Sequence, residues 1–247
     1  MIVGDNMRKI FNLFVFVLSL IVFAFNIVNI SVEEVYVSKI EIDVPILKPE
    51  KDDKDEKQYV AVSNSEVYNN KYFKGFLTIS NTTFKEPLYQ YYDNDYYLTH
   101  SGNGKKKSSG ATYLDYRINY ESNKILVYGH NNDKLSLPFS ILENYNDFDY
   151  YKEHKYLELY FDNVKYKYEI FSVYIETGNW DYMKINFQSR ELWKKHLNDL
   201  KSRSIYDTGV SVDETDKIII LQTCSKNKEY SSYSKKYMLV IGKMVKE

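Results

Sequence analysis

The chain has a single cysteine, Cys224. A lone thiol closes no internal disulfide, so it serves as a small buried apolar side chain, a bridge to another molecule, or a reactive group. Glycine and proline are scarce, at 9 and 4 residues, and no glycine-rich phosphate loop is present. The 4 histidines do not cluster with cysteine or carboxylates at metal-ligand spacing, so neither a metal nor a cofactor is expected. Excess charge is missing too: the formal net charge is -1 and no basic stripe stands out, which argues against a nucleic-acid partner.

What the chain does have is 44% hydrophobic and 27% charged residues, a globular composition, with 26 Tyr and 13 Phe leaning towards β-structure. Arg8 and Lys9 precede the uncharged stretch "IFNLFVFVLSLIVFAFNIVNI", residues 10 to 30. As a helix, about 20 such residues cross a bilayer's hydrocarbon core. Basic residues before it and Glu33 and Glu34 after it place the short N-terminus inside and the rest outside. The run is long for a signal peptide and no small-x-small cleavage site follows, so an uncleaved single-pass anchor is expected. Residues 31 to 68 contain "KPEKDDKDEKQ", too charged and too poor in apolar groups to offset its ordering entropy, and read as a tether outside the membrane. Residues 69 to 247 then form one folded domain.

Within that domain strand-like runs succeed one another: "FKGFLTI", "YYLTH", "ATYLDY", "KILVYGH", "KYLELYF", "KYKYEIFSVYI", "KIIILQTC" and "KYMLVIGKMV". In "KYLELYF", Leu157, Leu159 and Phe161 alternate with Tyr156, Glu158 and Tyr160, the period of a strand covered on one face. The series predicts a mainly β fold with added helices, closed or nearly closed into an eight-stranded barrel. One helix is expected to start at Ser136 and Pro138, with Leu142, Tyr145 and Phe148 on a shared face. A second is expected in "SRELWKKHLNDLKS", where Leu192, Trp193, His196, Leu197 and Leu200 recur at helical spacing. That spacing makes His196 a packing residue rather than a catalyst.

A nucleophilic cysteine needs its thiolate supported, usually by an imidazole and a nearby cation, and a donor for the oxyanion formed on attack. His100 ends "YYLTH", His154 sits in a charged turn, and His196 lies on the helix. His130 differs. It follows "KILVYG", so Gly129 ends the strand and the imidazole opens the polar loop "HNND".

"LQTC" after an apolar strand, with "YGHN" far upstream, resembles the Thr-Leu-x-Thr-Cys motif of the sortases, with Ile220 where threonine is usual. The resemblance covers roughly residues 72 to 247, including "FKGFLTISNTTFKEPLYQ", "DNDYYLTH" and "GATYLDY". It is most similar to class B, because "YGHNN" is followed by "PFSILENYNDFDYYKEHKYLEL" and a long helix precedes "SIYDTGV". The resemblance implies an eight-stranded sortase barrel behind a membrane anchor, on the outer face of a Gram-positive-type envelope. It implies a cysteine transpeptidase that cleaves a C-terminal sorting signal of a secreted protein after threonine. Cys224 would form a thioester, His130 would protonate the departing amine, and an amine of the peptidoglycan precursor would resolve the intermediate. The backbone N–H of Ser225 would be an oxyanion donor, with Thr223 and Gln222 shaping the pocket floor.

Sortases also carry an arginine near the start of the last strand, and this chain has none after Cys224. Lys236 is the expected substitute, with Arg203 and Arg117 as alternatives. Lysine supplies charge without a planar fork, so the exchange is not conservative. Two further readings stay open: a weakened sortase-fold protein that binds sorting signals or wall peptides without turnover, and a surface cysteine peptidase in which water takes the acyl group.

Overall fold

The computed structural model describes residues 70–132, 135, 137–161 and 164–246. The expected anchor (1–30), the tether (31–68) and Ser136 lie outside these residues. Among the described residues no helix is long and apolar enough to cross a membrane.

The described residues form eight strands: β1 (Phe73–Ile79), β2 (Lys85–Tyr89), β3 (Tyr113–Leu114), β4 (Lys124–Tyr128), β5 (Tyr156–Phe161), β6 (Val164–Glu176), β7 (Ile218–Cys224) and β8 (Tyr237–Met244). They close into a barrel in the order β1-β2-β3-β4-β7-β8-β6-β5. The β2–β3 and β4–β7 contacts are parallel and the others antiparallel, which makes the barrel mixed.

Two departures from the expected strands have local causes. "YYLTH" forms a single 3-10 turn, Tyr96–Leu98, followed by an isolated bridge from His100 to Lys106. Asp93 accepts hydrogen bonds from the N–H groups of Asp95 and Tyr96, both at 2.8 Å, and starts the turn, while Tyr97 is buried beneath it. In place of that run, "KEPLY" forms β2. Proline lacks the N–H a strand interior needs, which masked this segment in the sequence. Pro87 pairs with Phe76 of β1, and on the β3 side the described pairing is limited to Tyr89 with Tyr113, so the missing donor costs little.

The barrel buries two apolar faces. Leu77, Leu159, Val173, Ile219, Leu221 and Val240 belong to one cluster, together with Phe139, Leu142 and Tyr145 of a 3-10 helix spanning Pro138–Asn146. Leu126, Tyr128, Ile220, Leu239 and Ile241 belong to a second, covered by Trp193, Leu197 and Leu200 of a later helix. Strands β4 and β7 are therefore covered on both sides, and "IIIL" reads as a continuous apolar run for that reason. Helix geometry also corrects one expectation. Phe139, Leu142 and Tyr145 follow the three-residue repeat of a 3-10 helix, which ends at Asn146. Asp147 then caps a new helix, α1 (Phe148–Glu153), and Phe148 is left exposed. Helix α2 (Arg190–Ser202) falls within the expected stretch, and Ser189 caps it, its Oγ accepting from the Leu192 N–H at 3.2 Å. Leu192 stays outside its buried face.

Candidate active site

Cys224 ends β7 and is exposed. Parallel pairing sets what lies beside it. Tyr128 of β4 pairs with Gln222 of β7, so extending the register by two residues carries His130 to the level of Cys224. Gly129 fixes that extension from both sides, because its N–H donates to the Gln222 carbonyl at 3.2 Å and its carbonyl accepts from Thr223 Oγ1 at 2.7 Å. A glycine is required here: a Cβ would lie 2.5 Å from Cγ of the fully buried Phe139 ring.

Three of the four histidines have other tasks. His196 is buried on α2 and accepts a hydrogen bond from Lys124 Nζ at 2.6 Å, with burial and the Lys124 charge holding its pKa down to about 3. Lys124 completes its set of acceptors with the carbonyls of Tyr182 and Lys184, at 3.0 and 2.7 Å. His100 stacks on Tyr96 and donates from Nδ1 to its carbonyl at 2.8 Å, and His154 donates from Nδ1 to the Ser80 carbonyl at 2.9 Å.

His130 Nε2 lies 2.9 Å from the Leu98 carbonyl. A carbonyl only accepts, so Nε2 carries the hydrogen, and Nδ1 is the nitrogen left to exchange a proton. The 3-10 turn at Tyr96–Leu98, which the sequence presents as a strand, thus fixes the tautomer. Although Cys224 is exposed to solvent, the protein packed around the strand end partly desolvates its thiol and raises it above its ordinary value.

The loop after Cys224 is pinned by side chains from two segments. Asn131 Nδ2 donates to the Cys224 carbonyl at 2.8 Å and to Glu143 Oε1 at 3.1 Å, and the same carboxylate oxygen accepts from the Lys226 N–H at 2.7 Å. Neither Asn131 nor Glu143 stands out in the sequence. Their signal is only the adjacency of "HNN" to the histidine and of "SILEN" to the barrel end.

The other expected site residues take specific places. Gln222 shares the Cys224 face of β7, and its Oε1 accepts from Tyr182 Oη at 2.7 Å. Thr223 points to the opposite, interior face and is buried. It is a strut to Gly129 rather than part of a pocket floor. The Ser225 N–H donates to the Lys236 carbonyl at 2.9 Å, so an oxyanion there would have to displace that bond. Lys236 Nζ donates to the Asn227 carbonyl at 2.8 Å, and Asn227 in turn reaches Asn146 Oδ1 at 3.3 Å, which directs the amine to the barrel end. The alternatives are engaged as well. Arg117 clamps Asp115 at 2.8 and 2.7 Å, and Arg203 pairs with Glu176 at 2.7 Å.

The residue opposite Cys224 on β8 is Tyr237. Its ring packs edge-on against Trp180 with centroids 5.5 Å apart. Burial raises the phenols of Tyr113, Tyr182 and Tyr237, and a thiolate at Cys224 raises each further, so three phenols lie within its field. Among the described residues no group of three or more His, Cys, Asp or Glu side chains is placed to hold a metal ion.

No family model matches the chain. It is 34% identical over 178 residues to the sortase B of Listeria monocytogenes, covering 71% of each protein. Sortase B of Staphylococcus aureus is 28% identical over 181 residues, 72% of each. The crystal structure of Clostridium perfringens sortase B superposes with a TM-score of 0.66 at 27% identity, covering 74% of this chain and 98% of that one.

Proposed function

The chain belongs to the sortase B family of cysteine transpeptidases, and from that premise we propose that Cys224 and His130 carry an acyl transfer from a sorting signal to an envelope amine. The observation that supports this reading is the extended β4–β7 register, locked at Gly129, which brings the lone thiol level with an imidazole of fixed tautomer.

The steps follow from those two groups. The Cys224 thiol gives its proton to His130 Nδ1, and the thiolate adds to the carbonyl carbon of the substrate threonine, moving the C=O electron pair onto oxygen. Collapse re-forms the carbonyl and breaks the C–N bond, and His130 gives its proton to the departing amine. A thioester remains. A second amine then adds to the thioester, passes a proton to His130, and releases Cys224 with a new amide bond. Sortase B of S. aureus has been solved as a substrate complex, and a sortase B has been solved with triglycine. By analogy the acyl donor here is a peptide signal near the C-terminus of a secreted protein, and the acceptor is an amine of the peptidoglycan precursor. Localisation follows the same reading: the residues 1–30 segment anchors the enzyme in the membrane and the barrel works on the outer face.

Intact-mass analysis of the purified full chain mixed with pooled sorting-signal peptides tests this. An acyl adduct confined to Cys224, absent in Cys224→Ala and discharged by an added amine, is the expected result. Peptide binding without any adduct would favour the weakened binding protein. The engagement of Arg117, Arg203 and the Ser225 N–H with other groups is what keeps that second reading in play.

A further inference from the structure

Carbonyl addition by Cys224 leaves negative charge on an oxygen close to the thiol, and a donor must meet it. The donors near β7 are mostly engaged elsewhere. The Ser225 N–H is bonded to the Lys236 carbonyl, Lys236 Nζ to the Asn227 carbonyl, Tyr182 Oη to Gln222 and Tyr128 Oη to Asp115. Tyr237 is different. It is the cross-strand partner of Cys224, so both side chains leave the sheet on one face with Cβ atoms about 5 Å apart. Its hydroxyl has no hydrogen-bond partner among the described residues, its ring is held by Trp180, and it is half-buried.

We propose that Tyr237 is a catalytic residue, its phenolic O–H donating a hydrogen bond to the oxyanion formed when Cys224 adds to the substrate carbonyl. The assignment rests on Cys224 being the acyl-accepting nucleophile. A phenol suits this position because it stays protonated across the working pH range and donates without bringing a permanent charge. Burial and the Cys224 charge both strengthen its hold on the proton. Tyr113 also feels the thiolate, but it lies two strands from β7, pairing with Tyr128 of β4. Tyr237 instead sits on the strand next to β7, directly opposite Cys224.

Two small reagents separate this role from a structural one. p-Nitrophenyl acetate acylates a thiol with charge building on a carbonyl oxygen, whereas iodoacetamide alkylates it by displacement with no oxyanion. The ratio of the two second-order rates at Cys224, measured on the full chain across pH 6–10, reports the oxyanion donor. Tyr237→Phe keeps the ring on Trp180 and removes only the hydroxyl, and it should lower the ratio about 10- to 100-fold. Tyr237→Arg should restore it to the parent value or above, while Lys236→Ala and Tyr113→Phe stay within about twofold of the parent. A Tyr237→Phe ratio within twofold of the parent, or an equal loss in Lys236→Ala, overturns the proposal. Neither reagent needs a sorting signal. A parent that reacts with the ester but with no peptide would count against the sorting-signal reading alone, and the Tyr237 comparison would still decide its own question.

Discussion

Asn131 donates its side-chain amide to the carbonyl of Cys224, tying the loop that follows the histidine to the residue that carries the thiol. The same amide reaches Glu143 on the 3-10 helix that closes the barrel end, and Glu143 also accepts from the Lys226 N–H. The end of β7 that carries Cys224 is therefore held by Asn131 and Glu143. Positional precision of this kind matters more than total binding, because a displacement of about 1 Å can cost a hundredfold in rate.

Asn131→Ala removes both donations and leaves the Cys224 carbonyl without its partner. The expected loss is about 1–3 kcal/mol of stability, with acyl transfer falling further than the melting temperature suggests. Thermal melts beside single-turnover acylation check this. A variant with parent kinetics would show that the tie does not position Cys224.

His130→Ala removes the imidazole proposed to carry the proton. Acyl transfer to an amine should fall about 10²- to 10⁴-fold. Alkylation by iodoacetamide at pH 10 should change much less, since hydroxide can deprotonate the thiol there. Parallel losses in both reactions would point to disturbed folding instead of lost proton transfer.

Gly129→Ala places a methyl 2.5 Å from the Phe139 ring, which is fully buried and has little room to withdraw. Overpacking should cost about 1–3 kcal/mol and move the backbone that carries His130. Adding Phe139→Leu should recover part of both stability and activity. No recovery in the double variant would mean that the Gly129 conformation itself, and not the ring, is the constraint.

His196 gives a pH signature far from the thiol. Its folded pKa is near 3 against an ordinary 6.5, so below pH 6.5 the unfolded chain takes up a proton that the folded chain refuses. This contribution is present above pH 6.5 and is lost as the pH falls towards 3, with a slope of at most about 1.4 kcal/mol per pH unit. Denaturant unfolding of the parent and of His196→Gln between pH 4 and 8 should show a flatter curve for the glutamine variant, whose amide oxygen still accepts from Lys124. Identical slopes would assign the pH dependence to other groups.

The sequence by itself determined the strand-rich core, the amphipathic helix with His196 facing inward, and the presence of a lone cysteine at the end of one apolar strand and of His130 just past the end of another. Those features are written in local periodicity and in the one thiol. It did not reveal β2, because Pro87 reads as a strand breaker until β1 is seen to pair with it. Nor did it reveal the turn at Tyr96–Leu98, whose carbonyl sets the His130 tautomer. The resemblance pointed to Lys236 as the substitute for the family arginine. Neighbours in a sheet are set by hydrogen-bonded pairing between strands, and that pairing puts Tyr237 opposite the thiol while Lys236 Nζ donates to the Asn227 carbonyl. The residues capable of chemistry are visible in one dimension, whereas the face each occupies and the hydrogen bonds that commit it depend on contacts between segments far apart in the chain.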